Sequence, residues 1–216
     1  MTTRQRLEAL EKWAEERLCR GREYKSPDPD GDITRVKLTE PKVYLGWFPG
    51  RGPRTEDWEE APNEAPGILI APGTTCGQNV EVRRFDENSR VRRPPELGQT
   101  VQISMMFCIY EPGVRKAGFE EMAEAEELDI SRIDDGTREG LLTLTDWLDE
   151  AARQLLDTRC IPGSDLILQE ETLTYGLYQD VGYIVDRRPF YYGFLNATFN
   201  AYAGEGPDAG VAELLL

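Results

Sequence analysis

The chain has 216 residues and a formal net charge of −15, from 25 Lys and Arg against 40 Asp and Glu. A surface of that sign repels phosphate, which argues against a protein that binds nucleic acid by neutralising its backbone. The sequence contains no histidine, so it lacks the usual general base, the Ser-His and Cys-His nucleophile pairs and the commonest metal ligand. Only carboxylates remain for acid–base chemistry.

The length is sufficient for one domain that buries roughly 70% of its unfolded surface without disulfides or metals. No apolar run approaches the roughly 20 residues that span a bilayer, and the charged N-terminus does not resemble a signal peptide, so we expect a cytoplasmic protein that is not membrane-bound. Reduced, buried thiols are expected for the four widely spaced cysteines, which are Cys19, Cys76, Cys108 and Cys160. We expect a single domain over 1–216, divided into an N-terminal helix (1–20), a proline-rich loop or hairpin (22–66), a core (67–202) and a flexible tail (203–216).

The chain opens with helix signals. Thr2 and Gln5 have the spacing of a capping box, and an apolar stripe follows at helical intervals. The pattern predicts a helix from about Thr3 to Cys19, ended by Gly21. Packing on the domain is the favoured interpretation, and a detachable partner-binding arm is the alternative.

Seven prolines interrupt the next segment, and only Ile33–Leu38 and Lys42–Phe48 alternate enough to be strands, as a hairpin or an edge pair. Trp47, Phe48 and Trp58 lie there among prolines and acids. They either fix a long loop to the domain or form a contact patch, since aromatic residues are enriched at interfaces.

Three strands are predicted next. Gly67–Ala71 is a short apolar run between prolines, and Asn79–Phe85 alternates weakly. Val101–Tyr110 is the clearest strand, and because its second face is only half polar we expect it to be central and covered on both sides. The acidic segment Glu111–Ile133 is interpreted as a solvated insertion.

An amphipathic helix follows, with Asp134 or Asp135 as its cap and Pro162 and Gly163 as its end. Its predicted buried face is an apolar stripe made of Leu141, Leu144, Leu148, Ala151 and Leu155.

Strands close the sequence. Leu166–Leu168 and Thr172–Tyr178 form a strand pair or one long bent strand, and Tyr191–Tyr202 carries aromatic residues on both faces. The predicted fold class is therefore α/β (α+β), with a mixed, mainly antiparallel sheet backed by the N-terminal helix and one long amphipathic helix, with long loop insertions.

No catalytic, metal or cofactor site is predicted. The acidic clusters at Glu120–Glu127 and Asp134–Asp135 fit solvated charge runs better than cation sites, and Asp28–Asp32 is explained by turn chemistry. Instead we predict contacts with a second copy or a partner, at Trp47, Phe48, Trp58, Arg187, Arg188, Phe190, Tyr191, Tyr192, Leu214, Leu215 and Leu216.

The element order resembles that of the tail terminator, or tail-completion, proteins of long-tailed bacteriophages. The resemblance lies in APGILIAPG at Ala65–Gly73, in VQISMMFCIY, in the DDG turn that feeds the long helix, in LTYGLYQD at Leu173–Asp180, and in RRPFYYG with the closing FNAY. It covers about Gly67 to Tyr202 and is one of pattern rather than of an invariant chemical motif. The segments Arg22–Pro66 and Glu111–Ile133 depart from it.

The resemblance implies a virion protein without catalytic activity or cofactor, assembled in the host cytoplasm. Such proteins form rings, often of six subunits, that cap the tail tube and join it to the head–neck, with tube, connector or sheath proteins as partners and DNA as passing cargo. Another tail, neck or baseplate subunit is the alternative in the same class. A carboxylate-dependent enzyme is the alternative outside it.

Overall fold

The computed structural model describes residues 1–27, 37–48, 65–73, 81–84, 97–112, 137–180, 183–184 and 189–202. The helices within these ranges are α1 (Thr3–Ala14), a π-helical turn (Glu15–Cys19) and α2 (Thr137–Thr158). The strands are β1 (Tyr24–Ser26), β2 (Lys37–Thr39), β3 (Lys42–Leu45), β4 (Gly67–Pro72), β5 (Glu81–Arg84), β6 (Leu97–Tyr110), β7 (Ile167–Leu177), β8 (Gln179–Asp180), β9 (Tyr183–Ile184) and β10 (Phe190–Tyr202).

The N-terminal helix begins and ends where the sequence predicts. The Thr2 hydroxyl accepts from the Gln5 amide at 3.3 Å, and the Gln5 side chain accepts from the Thr2 amide at 2.9 Å, so the capping box is formed. After α1 the π-helical turn continues to Cys19, and Gly21 follows with φ of 74°. That left-handed conformation suits glycine and ends the helix.

The main sheet has the strand order β3–β4–β6–β10–β7, and β5 pairs with the first residues of β6. Every pairing is antiparallel except β3 with β4, which confirms the predicted mixed, mainly antiparallel sheet. The long strand β6 lies in the centre, as predicted.

The predicted pairing of the two strands in the proline-rich segment is wrong. β2 pairs with β1 in a separate small sheet, whereas β3 joins the main sheet beside β4. Pro41 lies between β2 and β3, and directly after it the Lys42 amide donates to the Pro66 carbonyl at 3.2 Å. A proline has a fixed φ and donates no hydrogen bond, so it suits a point where the chain leaves one sheet for another.

Both helices pack on the same face of the main sheet. The Trp147 ring of α2 meets Phe107 of β6 edge-on at 5.0 Å between ring centroids, and its indole N–H donates to the Leu18 carbonyl at 3.1 Å. Trp13 of α1 donates to the Thr158 hydroxyl at the end of α2. The two helices and one face of the sheet therefore share a single core.

The long helix departs from its prediction at both ends. Leu144, Leu148, Ala151 and Leu155 are buried as predicted, but Leu141 is 40% exposed, because Gly140 takes the position against the sheet in the first turn. The helix ends at Thr158, before the predicted Pro162 and Gly163, since Arg159 adopts a left-handed φ of 53°. The predicted caps, Asp134 and Asp135, lie outside the described residues.

Strand β7 is one bent strand, the second of the two predicted possibilities. Its register with β10 jumps between Asn196, opposite Thr174, and Thr198, opposite Gln169. At the bulge the Thr172 hydroxyl donates to the Gln169 carbonyl and accepts from the Thr198 amide. A single side chain thus replaces the missing backbone pairing.

The thiols divide into two kinds. Cys19 and Cys108 are buried and free, as expected, but Cys160 is exposed, which corrects the prediction for that residue. It lies just beyond the end of α2, outside the helix–sheet core. Cys76 lies outside the described residues. None of the helices that the structure describes is both long enough and apolar enough to span a membrane.

Candidate functional site on the helix-free face of the sheet

The second face of the sheet is contacted by neither α1 nor α2. Residues of β6 and β10 alternate between the two faces, so the odd-numbered positions Val101–Ile109 point into the core and the even-numbered ones point away from it. We call the face that the described helices α1 and α2 do not contact the helix-free face. It includes Lys42, Tyr44, Leu69, Ala71, Thr100, Gln102, Ser104, Met106, Cys108, Tyr110, Gln169, Thr174, Phe190, Tyr192, Phe194, Asn196, Thr198 and Asn200.

One end of this face is aromatic. Tyr110 and Cys108 are buried there beneath the partly buried rings of Phe48, Phe190 and Tyr192. Tyr110 and Phe190 have ring centroids 5.3 Å apart at a tilt of 55°. Three residues predicted as contacts from distant parts of the sequence thus lie in one aromatic cluster.

On β6 and β10 the other end of this face is polar and uncharged. Gln102 and Ser104 of β6 lie opposite Thr198 and Asn196 of β10. The side-chain oxygens of Gln102 and Asn196 are buried, and no residue that the structure describes donates a hydrogen bond to them. Buried acceptors normally have a donor, so these two oxygens are unsatisfied polar atoms at this end of the face.

Trp47 lies at the margin of the aromatic end. It follows Gly46, whose φ of 85° turns the chain out of β3, and its side chain is 84% exposed. The neighbouring Phe48 instead turns inward and meets Tyr44 edge-on at 5.8 Å. An indole exposed to that extent contributes almost nothing to the core, so the structure leaves it available for contact.

Tyr191 is placed on the opposite face from its neighbours Phe190 and Tyr192. It packs on the core, and a Cβ added at Gly140 of α2 would lie 2.6 Å from its ring. The structure therefore gives Tyr191 a role between helix and sheet. The other predicted contacts, Trp58, Arg187, Arg188 and Leu214–Leu216, lie outside the described residues.

The two edges of the sheet differ in exposure. The edge strand β3 runs beside α1 and the π-helical turn, whereas β7 carries the bulge and two exposed carboxylates, Glu170 and Glu171, in its first half. Bulges and charges at an edge discourage unwanted strand pairing. The first half of β7 is thus poorly suited to extension by another strand.

No group of three potential metal ligands is found among the residues that the structure describes. A cleft of about 360 Å³ beside the π-helical turn includes Cys19, but burial raises the pKa of that thiol to about 12, which makes it a poor nucleophile. Hydrogen bonds from Arg153 and Gln154 lower the pKa of Glu150 to about 2, so this carboxylate is an ion-pair partner.

The sequence did not predict Tyr44, Met106, Tyr110 or Phe194 as contact residues, although the alternation in the two strands placed Met106 and Tyr110 together on the second face of β6 and Phe194 beside Tyr192. The available signal was the half-apolar second face of β6 together with the aromatic residues on both faces of β10. It shows that a second face is partly apolar, but not which residues of other strands join it.

No protein-family model matches this sequence, and no curated protein matches it either.

Proposed function

We propose that this protein is a structural virion protein of a long-tailed bacteriophage, a tail terminator that forms an oligomeric ring. The ring, of six subunits in this proposal, caps the tail tube and joins it to the head–neck. The observation that carries the proposal is the helix-free face, where Phe48, Phe190 and Tyr192 are gathered beside an exposed Trp47. Half-buried aromatic residues on a sheet face that the described helices leave uncovered are typical of a protein that acts by contact.

The mechanism is steric. A ring bound at the end of the tube covers the surface on which the next tube subunit would add, and its other side meets the neck. Neither step requires a reactive group, which fits a chain without histidine.

The charge of the chain fits a conduit. A protein that neutralises phosphates holds DNA in place, because binding releases the counterions of the backbone. A ring of subunits with net charge −15 would repel the passing genome and let it slide. A bore lined with Lys and Arg would contradict this part of the proposal.

Electron microscopy of the purified protein mixed with tail tubes tests the proposal. We expect ring-shaped density at the head-proximal end of the tube. Density at the opposite end would instead support a baseplate subunit, and bare tubes at saturating protein would refute a tail role.

Trp47→Ser provides a residue-level test, with Leu38→Ser as the matched control. Both side chains are exposed, by 84% and 58%, so neither change should shift the urea midpoint measurably. We expect Trp47→Ser to decorate far fewer tube ends and Leu38→Ser to behave like the wild type. Equal decoration by both variants would remove Trp47 from the contact.

A further inference from the structure

The three central strands of the sheet carry no charged side chain. β4, β6 and β10 have 6, 14 and 13 residues, and none is Asp, Glu, Lys or Arg, although 30% of the whole chain is charged. On the core face this is expected, since buried charges are costly. On the helix-free face the described helices do not bury the side chains, and an antiparallel sheet can leave one face to water. Burial by these helices therefore does not explain why β4, β6 and β10 carry no charge on that face.

The outer side of α2 shows how this chain treats a surface that faces water. That side is crowded with exposed ionic groups, namely Arg138, Glu139, Asp146, Asp149, Arg153 and Asp157. On the helix-free face, the central strands β4, β6 and β10 contribute none. The contrast indicates that the helix-free face is not designed for water.

We propose that the helix-free face is the surface through which one copy of this chain binds a second copy. Two chains of net charge −15 repel each other, and an interface over their acidic surfaces would bury like charges. The uncharged centre of this face, formed by β4, β6 and β10, is a part of the described surface that a second copy can cover without that cost. The inference rests on the proposed ring and names the surface that builds it.

The dimensions of the face are adequate. From Thr100 to Tyr110 the face runs for about 33 Å at roughly 3.3 Å per residue, and neighbouring strands lie about 4.8 Å apart. The strands β3, β4, β6, β10 and β7, each at its own length, then present on the order of 750 Å² of projected area. A stable interface buries about 800 Å² of accessible surface per partner, which is close to this projected area.

Salt dependence distinguishes this interface from one built on ion pairs. Raising NaCl from about 0.01 M to about 1 M shortens the screening length from about 30 Å to about 3 Å. Because the interface itself is uncharged, screening removes only the repulsion between copies. We therefore expect the mass measured by light scattering to rise with salt, whereas a charge-paired interface would dissociate.

Two lysine substitutions place a charge on the face. Thr198 lies on β10 opposite Gln102, and Thr174 is exposed on β7 opposite Asn196. Thr174 belongs to the helix-free face because the adjacent Tyr175 points to α2, where a hydrogen bond to Asp149 raises the pKa of its phenol. Each change lowers the net negative charge, so weaker association cannot be attributed to greater repulsion.

Thr145→Lys is the matched control, since Thr145 is exposed on the outer side of α2. We expect Thr198→Lys and Thr174→Lys to raise the dissociation constant of self-association by about tenfold or more, and Thr145→Lys to leave it unchanged. Circular dichroism and the urea midpoint establish that each variant is folded. Thr174→Lys keeps the test valid if Thr198→Lys fails to fold, because its side chain is already exposed.

Adjacent methionines provide an independent readout on the unmodified protein. Met105 points into the core and Met106 lies on the helix-free face. With hydrogen peroxide we expect Met106 to be oxidised in dilute monomer and protected in the oligomer, while Met105 stays protected in both.

Three outcomes would overturn the inference: folded lysine variants on the face with wild-type mass, a wild type that is monomeric at all salt concentrations, or Met106 protected in the monomer by other parts of its own chain. A ring that forms through another face would refute this inference and would be consistent with the proposed function. Assembly through this face without binding to tail tubes would support this inference and refute the proposed function.

Discussion

Replacing Arg6 by methionine should destabilise the protein more than its position on a helix near the N-terminus suggests. The Arg6 side chain is 1% exposed and holds Asp165, which is 8% exposed. Its Nε donates to one carboxylate oxygen and an Nη to the other, both at 2.7 Å. This forked pair ties α1 to the connection between α2 and β7, elements far apart in the sequence.

The magnitude follows from the charge that is left behind. Methionine approximates the volume of the aliphatic part of arginine, so little packing is lost, but Asp165 is left with the N-terminal ammonium, 3.7 Å away, as its remaining cation among the described ion pairs. Breaking a buried pair by removing one partner costs about 3–5 kcal/mol. Because the ammonium compensates in part, we expect about 3 kcal/mol, or a fall in Tm of roughly 6–12 °C for a chain of this size.

Urea unfolding followed by circular dichroism measures the effect, and Arg4→Met is the matched control. Arg4 lies on the same helix, and its ion pair with Glu8 is largely exposed, so its loss should cost less than about 1 kcal/mol. The double variant Arg6→Met with Asp165→Leu should recover much of the lost stability, since an apolar pair leaves no charge buried. If Arg6→Met unfolds at the same urea concentration as Arg4→Met, the pair contributes no more than a surface contact and the reasoning fails.

Three further outcomes are expected. Burial favours the neutral form of Asp165, but the hydrogen bonds and charge of Arg6 outweigh it and lower the pKa below its ordinary value of 3.8. The stability that this shift contributes is complete above the unfolded pKa and is lost as the pH falls through the lower folded pKa. The difference in urea midpoint between wild type and Asp165→Asn should therefore shrink below about pH 4. A difference that stays constant would contradict the assignment. Gly140→Ala should destabilise the protein by about 1–3 kcal/mol despite the helix preference of alanine, because its Cβ would meet the Tyr191 ring at 2.6 Å. The loss should be smaller in a Tyr191→Leu background. Stabilisation by Gly140→Ala would show that the ring moves aside freely. Among the described cysteines, the exposed Cys160 should react with a thiol reagent in the native protein while Cys19 and Cys108 do not. Cys160→Ser should therefore remove a rapid phase of labelling. An unchanged time course would show that another thiol is the accessible one.

Local patterns determined the elements of this protein because the signals for them lie within a few residues. The Thr2–Gln5 capping box and Gly21 set the ends of the first helix. The alternation in β6 predicted a central strand, which the pairing with β4 and β10 confirms. The class of the fold followed from these elements.

Partners across the sheet were decided by the tertiary structure. The pairing of β3 with β4 depends on where the chain goes after Pro41, and the early end of α2 depends on Arg159 adopting a left-handed conformation. Neither is encoded in a period of two or 3.6 residues. The hairpin prediction failed for that reason.

The candidate site shows the same division. Phe48 was predicted as part of one contact region, and Phe190 and Tyr192 as part of another far along the chain. The fold of β3 and β10 around Tyr110 brought the two regions together. Tyr191, one residue away, points to the other face because side chains alternate along a strand, and only the position of α2 reveals which face is covered. Sequence sets which side chains share a face of a strand, but the packing of distant helices decides which of the two faces is left for a partner.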